Sequence, residues 1–241
     1  MRLETPCEVS RPQITFDVEE IEPILQAPPM DLSPWKPATI ELKDGRQLYI
    51  REAKLEEAPM MMEYVMKVMQ SPHDFYDVVG ARIYAELAGW YRKRLKDPYV
   101  LVGIVDGQLA GFANGRLMSK EINISLHTMA LMRGLRIGAV MYYAKAYYGF
   151  EILGNEEWWA TYESYNGWKR WGVGMAQPSY PWPEYQHELG GARVYYITKK
   201  YWDVSIKKYV QQMVGANLNF DVSDEVIKAN ETMRLPDEVT V

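Results

Sequence analysis

Apolar positions recur along this chain with two different periods, and the switches between them mark its elements. Residues 1–36 follow neither period. They hold six prolines and mostly acidic charge, which reads as an extended arm lying over a domain, with regular structure beginning near Ala38. Thr39-Ile40-Glu41-Leu42 and Gln47-Leu48-Tyr49-Ile50-Arg51 alternate on either side of Lys43-Asp44-Gly45-Arg46, and Asp-Gly between alternating segments predicts a hairpin. Residues 55–70 read as a helix, with Pro59 tolerated in the first turn and Ser71-Pro72 as the stop. Residues 81–96 predict a second helix, because Ile83, Tyr84, Leu87, Trp90, Tyr91 and Leu95 fall at helical spacing. A clear hairpin follows, with strands at 99–105 and 108–117 around Asp106-Gly107, and a further strand at 122–131 after a turn at Ser119-Lys120.

The next helix is expected from about Leu135, with Ile137, Val140, Met141, Ala144 and Tyr148 on one face and Gly154 as its stop. Then come a strand at 158–163, a short helix at 166–171, a Gly/Pro-rich loop at 172–183, a short helix at 185–189 and a strand at 193–199. The remainder predicts helices at 203–214 and 223–233. Ser223 stands as the N-cap of the second, with Asp224 and Glu225 at its positive end. This mixed order implies an α+β domain with a mostly antiparallel central sheet flanked by helices. The chain divides into an arm (1–36), one domain (37–202) and a C-terminal helical extension (203–241).

Composition narrows the function. The 241 residues are 48% hydrophobic and 24% charged, so a sizeable core is expected. A net charge of −5 gives no basic footprint for nucleic acid. The single cysteine, Cys7, lies in the arm, so neither an internal disulfide framework nor a cysteine-ligated metal site is available. No leader pattern and no apolar run of roughly 20 residues is seen, so a cytoplasmic, non-membrane protein is expected. Asn123-Ile124-Ser125 and Asn230-Glu231-Thr232 match the glycosylation pattern and read as chance matches in that setting.

Between the strand at 122–131 and its following helix stands Met132-Arg133-Gly134-Leu135-Arg136-Ile137-Gly138-Ala139. Asn166 follows the next strand, and Glu188-Leu189-Gly190-Gly191 enters the last. In this order the three resemble the GNAT superfamily of acyltransferases over roughly residues 38–202. Arg133 and Gly138 match the first and last positions of that family's Arg/Gln-x-x-Gly-x-Gly/Ala signature. Arg136 stands where glycine is usual, and Gly191 stands where the Leu-Gly step continues with Phe. The resemblance implies acetyl-CoA or another acyl-CoA as donor and an amine of a small molecule or peptide as acceptor. A helix N-terminus exposes unpaired N–H groups and the positive end of the dipole, so it cradles pyrophosphate, and glycine permits close approach. The expected donor-binding residues are Arg133, Gly134, Arg136, Gly138 and Ala139, with Arg136 swinging out to a phosphate. Met129, Ala130 and Leu131 would bond the pantetheine arm through their main chain, between two splayed strands. Asn166 would touch that arm or serve as a helix N-cap.

Direct transfer from a thioester to an amine needs a proton acceptor, an oxyanion donor and a proton for the leaving thiolate. His127 is the first candidate base, because histidine titrates near neutrality, and Glu163 is the second, acting through water. Tyr185, near the family's tyrosine position, is the candidate acid. No activated nucleophile is evident. Met60, Met61, Met62, Met66, Met69, Phe75, Tyr76, Trp90 and Tyr91 form either core or an acceptor site. Two alternatives stay open: an enzyme taking acyl groups from a carrier protein to make N-acyl amino acids, and a catalytically silent GNAT-like binding module. The two tails are free to complete a homodimer or to wrap the domain.

Overall fold

The computed structural model describes residues 18–29, 31–71, 73–180 and 193–236. The first element of the described residues is helix α1 (Val18–Leu25), earlier than the arm was expected to become regular. Strands β1 (Ala38–Glu41) and β2 (Gln47–Glu52) form the first predicted hairpin. Helix α2 (Ala58–Val68) follows a 3-10 turn at Leu55–Glu57. Helix α3 (Tyr76–Tyr91) begins five residues before the predicted start. A left-handed kink at Asp74 and Phe75 turns the chain into it, and apolar spacing does not report such a kink.

Strands β3 (Pro98–Val105) and β4 (Gln108–Leu117) join through Asp106 and Gly107, both at positive φ, 51° and 73°. That pair of angles gives the two-residue turn whose twist suits a hairpin. β5 (Ile122–Ala130) continues antiparallel, and α4 (Ile137–Tyr147) crosses over to β6 (Glu157–Ala160). The last strand is β7 (Tyr195–Thr198). Among the described residues seven strands lie in sequence order, and every pairing is antiparallel except β5 with β6. A parallel pair needs a crossover, and α4 supplies it.

Two cores lie on opposite faces of the sheet. On one face α2 and α3 bury Met61, Tyr64, Val65, Ile83 and Leu87 against Val102, Ile104 and Phe112. On the other, α4 packs on β3, β4 and β5, and is itself covered by the C-terminal segment through Trp202, Ile206, Val210 and Val214. α4 is therefore buried from Ala139 to Ala146 without interruption. Its first turn closes on β4 at Gly111, where a Cβ would meet Ile137 Cγ2 at 2.6 Å and the Met129 carbonyl at 2.7 Å.

Short helices α5 (Tyr165–Gly167), α6 (Lys199–Tyr201), α7 (Lys207–Val214) and α8 (Asp224–Ala229) complete the described chain. A π-helical turn, Trp202–Ile206, joins α6 to α7. Ser223 caps α8 as expected, accepting from Val226 N–H. Arg51 forms an ion pair with Glu57 at 2.6 Å, and also donates to the carbonyls of Asn230 and Glu231, so it ties the tail to β2. Asn123 is fully buried and bonds Tyr99 and Asn155, so this glycosylation pattern is inaccessible in the fold. Among the described residues, no helix is long and apolar enough to cross a membrane.

Candidate functional site

β5 and β6 stay paired only from Ile122↔Glu157 to Ser125↔Ala160. β6 then ends, while β5 runs on to Ala130. β4 carries a bulge between Ala113 and Gly115, opposite this point, and a bulge bends its strand and sharpens the local twist. The two strands therefore part, and the gap between them holds two adjoining cavities.

The larger cavity, of about 410 Å³, is lined by Thr128, Met129 and Ala130 of β5, Arg133, Gly138 of α4, and Asn166 and Arg170. Tyr64, Tyr76, Val79 and Ile83 close its other side. Gly138, the second residue of α4, has open space over it, since a Cβ would find only the Ala130 methyl, 3.8 Å away. The helix start thus leaves unpaired N–H groups beside room for an anion. Arg133 is exposed at this end, 5.9 Å from the Tyr76 ring centroid.

The structure brings Met129, Ala130, Arg133, Gly138 and Asn166 to this cavity, and not the other predicted donor-binding side chains. Leu131 packs into the α2/α3 core, and Ala139, the third residue of α4, is buried in the core on the other face. Gly134 forms the preceding turn at φ 80°. Arg136 departs from expectation. It caps α4 in the left-handed region at φ 62°, and its guanidinium donates to the Met213 carbonyl at 2.6 Å rather than reaching toward the cavity. That carbonyl lies in the last turn of α7, the negative end of a helix dipole, which attracts the cation. Nor is Asn166 an N-cap. Ser164 caps α5, accepting from Gly167 N–H, and Asn166 donates to Asp74 at 3.0 Å.

The smaller cavity, of about 100 Å³, lies where β5 and β6 separate. His127, Thr128, Tyr142, Lys145, Tyr162, Glu163 and Trp171 are among its lining. Two predicted proton-transfer groups, His127 and Glu163, thus meet here. The third, Tyr185, lies outside the described residues, as do Cys7, Leu189, Gly190 and Gly191.

His127 is 5% exposed and its Nδ1 has no hydrogen-bond partner among the described residues. Burial, and then the Lys145 and Arg82 charges, push its pKa down to about 3. The imidazole is accordingly neutral at physiological pH, and the neutral-range titration expected of it does not fit this environment. Glu163 is held by an ion pair with Arg82 of α3 and accepts from the Thr161 hydroxyl at 2.9 Å. Tyr142 stacks on Trp171, 3.9 Å between centroids, and accepts from the Gln177 amide, whose oxygen accepts from Tyr162. Burial raises the pKa of both phenols.

Lys145 was not singled out from sequence. It is 1% exposed, and its Nζ donates to the carbonyls of His127 at 2.9 Å and Asn114 at 3.4 Å. The available signal was a lone lysine inside the apolar run Ala139–Ala146, where burial of an unpaired charge is costly. Of the residues read as either core or acceptor site, Met61 and Trp90 are core, Tyr76 reaches the cleft, and Met66 and Phe75 are exposed.

No family model and no curated protein matches the sequence. Among solved structures, Mycobacterium smegmatis RimJ, determined in complex with CoA-disulfide, superposes with a TM-score of 0.51 at 12% identity. That match covers 76% of this chain and 97% of RimJ. An uncharacterized Bacillus halodurans protein matches with a TM-score of 0.50 at 8% identity, covering 74% of this chain and 98% of its own. The GNAT domain of S. lividans PAT gives a looser match, TM-score 0.45 at 11% identity, over 67% of this chain and 96% of that domain. The strand order, the one parallel pair among the described strands, which splays beside α4, and the likeness to RimJ give this chain the GNAT fold.

Proposed function

We propose that this chain is a cytoplasmic acyl-CoA-dependent N-acyltransferase that passes the acyl group directly to an amine of a small molecule or peptide. The observation that carries the reading is the continuous gap between β5 and β6. It has an open helix N-terminus at one end and a small cavity of titratable side chains at the other. The residues present fit the donor. Gly138 leaves room for pyrophosphate, Arg133 stands at the same mouth, and the exposed edge of β5 at Met129 and Ala130 suits the amides of a pantetheine arm. A GNAT-fold protein solved with CoA-disulfide supports the same donor. Gly134 remains proposed through its backbone alone and Asn166 through its place on the wall, whereas the Ala139 N–H already donates to the Arg136 carbonyl at 2.9 Å and is not available to the donor. One cysteine in 241 residues agrees with a reducing compartment.

At the reacting end, neutral His127 and the Arg82-paired Glu163 are proposed to orient the acceptor and order water, and Tyr185 to return a proton to the thiolate. Tyr64, Tyr76, Val79 and Ile83 wall the donor cavity opposite β5, and Val79 also lines the smaller cavity, so this side of the gap is apolar. Calorimetry with CoA, together with thiol release from acetyl-CoA over a panel of primary amines, tests the proposal. Binding that is absent at millimolar CoA, or unchanged in Gly138→Asp, would refute it. Full activity of Cys7→Ser, with no acylated protein by intact mass, is the result expected of direct transfer.

A further inference from the structure

α4 places Gly138 and Lys145 seven residues apart. That spacing is close to two helical turns, so the two lie on one face about 10 Å apart along the axis. Gly138 opens the larger cavity and Lys145 lines the smaller one. The same helix that presents its N-terminus to the cleft therefore also inserts an amine at the far end of it. That amine is nearly devoid of solvent exposure. Among the described residues no carboxylate pairs with it. Its hydrogen-bond partners are two main-chain carbonyls, of His127 and Asn114, and the Trp158 ring lies 5.9 Å from Nζ. Asn114 stands at the β4 bulge, between Ala113 and Gly115.

A neutral amine has two N–H groups and one lone pair. The two carbonyls occupy both donors, which leaves the lone pair as the remaining direction, on the side where Lys145 lines the small cavity. The other titratable and charged groups there are Tyr142 of the same helix, His127 of β5, Tyr162 and Glu163 after β6, and Arg82 of α3. Glu163 already balances Arg82, and both tyrosines are held protonated by burial. Burial alone draws Lys145 down to about 7, whereas His127 is far too weak a base at neutral pH. A base matched to the working pH is the efficient one.

We propose that Lys145 is the group that takes the proton from the acceptor nitrogen during acyl transfer. The inference rests on the acyltransferase reading above. The acceptor enters as a free amine. Its nitrogen bonds to the thioester carbonyl carbon while one of its protons passes to Lys145 Nζ, and the carbonyl π pair moves to oxygen. The C–S bond then breaks as the carbonyl reforms, and the thiolate takes the proton back from Lys145, directly or through a phenol. Amide and free thiol result, with no co-reactant. While protonated, Lys145 keeps its bonds to both carbonyls, which offsets the burial of its charge.

The test uses the full chain grown with 13C-labelled lysine. One Cε resonance, absent from Lys145→Met, should titrate within about one unit of pH 7 and move when acetyl-CoA is added. Lys145→Met and Lys145→Gln should bind CoA within about threefold of wild type. Both should lower kcat for thiol release with primary amines by about 10²–10⁴-fold and lose the acidic limb of the pH profile. A merely structural lysine would leave that limb in place. A resonance midpoint near 10, a resonance indifferent to acetyl-CoA, or a retained acidic limb in either folded variant overturns the proposal. If no amine in the panel is turned over, the resonance decides. Loss of CoA binding by the wild type itself refutes the donor reading instead, and is seen separately in the calorimetry.

Discussion

Replacing Gly138 by alanine separates the structural role of the helix start from its role in binding. The residue has an ordinary backbone φ, and an added Cβ would meet only the Ala130 methyl at 3.8 Å, a van der Waals distance. Glycine in a helix costs about 0.5–1 kcal/mol relative to alanine, through the greater freedom of its unfolded chain. The unliganded variant should therefore be as stable as wild type or more so, by up to about 1 kcal/mol, which for a chain of this size is up to about 4 °C in Tm. The methyl would nevertheless tilt toward the helix N-terminus, into the space where the pyrophosphate would sit. CoA affinity should fall roughly tenfold or more, about 1.4 kcal/mol. Thermal melting without ligand and calorimetry with CoA read the two effects independently. A destabilised apo protein would mean that the space over Gly138 is not open. Unchanged CoA affinity would mean that the phosphates sit elsewhere.

Gly111→Ala should lose about 1–3 kcal/mol in urea unfolding, because its methyl collides with Ile137 and the Met129 carbonyl. CoA affinity should fall with it, since the displaced turn opens α4. Arg51→Met should cost about 3–5 kcal/mol by leaving the nearly buried Glu57 carboxylate unpaired, and a loss below about 1 kcal/mol would refute that reasoning. His127 has a folded pKa near 3, below its unfolded value of about 6.5, so the unfolded chain binds the extra proton between those limits. Its contribution is present above pH 6.5 and is lost as pH falls toward 3, on the order of a few kcal/mol. His127→Gln should flatten that part of the stability profile. Lys145, which titrates between about 7 folded and 10.5 unfolded, affects only the range above it.

The parts of the site legible in the sequence were those carried by local chemistry. Asp106-Gly107 announced its hairpin because only a few residues accept positive φ at both turn positions. Ser223 announced its cap through a bond three residues away. Arg133 and Gly138 line one cavity because they stand five residues apart around a single helix start, the kind of local grouping that a sequence displays. Arg136 misled for the complementary reason: its partner, the Met213 carbonyl, is 77 residues away, so nothing nearby betrays where the guanidinium points.

His127 shows the limit most clearly. Residue type suggested a group that titrates near neutrality, but burial and neighbouring cations from α3 and α4 move it well below that range. Lys145 reads in sequence as one charge in an apolar helix. It becomes a buried amine of lowered basicity beside the small cavity only because the sheet and Trp158 close around it. The sequence by itself determined the α+β order, both Asp-Gly hairpins and the place where α4 starts, since periodicity, turn chemistry and capping act over a few residues. Only the tertiary structure decided which side chains share the cleft and what protonation state each holds, because desolvation and through-space charge depend on neighbours that the chain brings together from α3, β4, β5, α4 and the segment after β6.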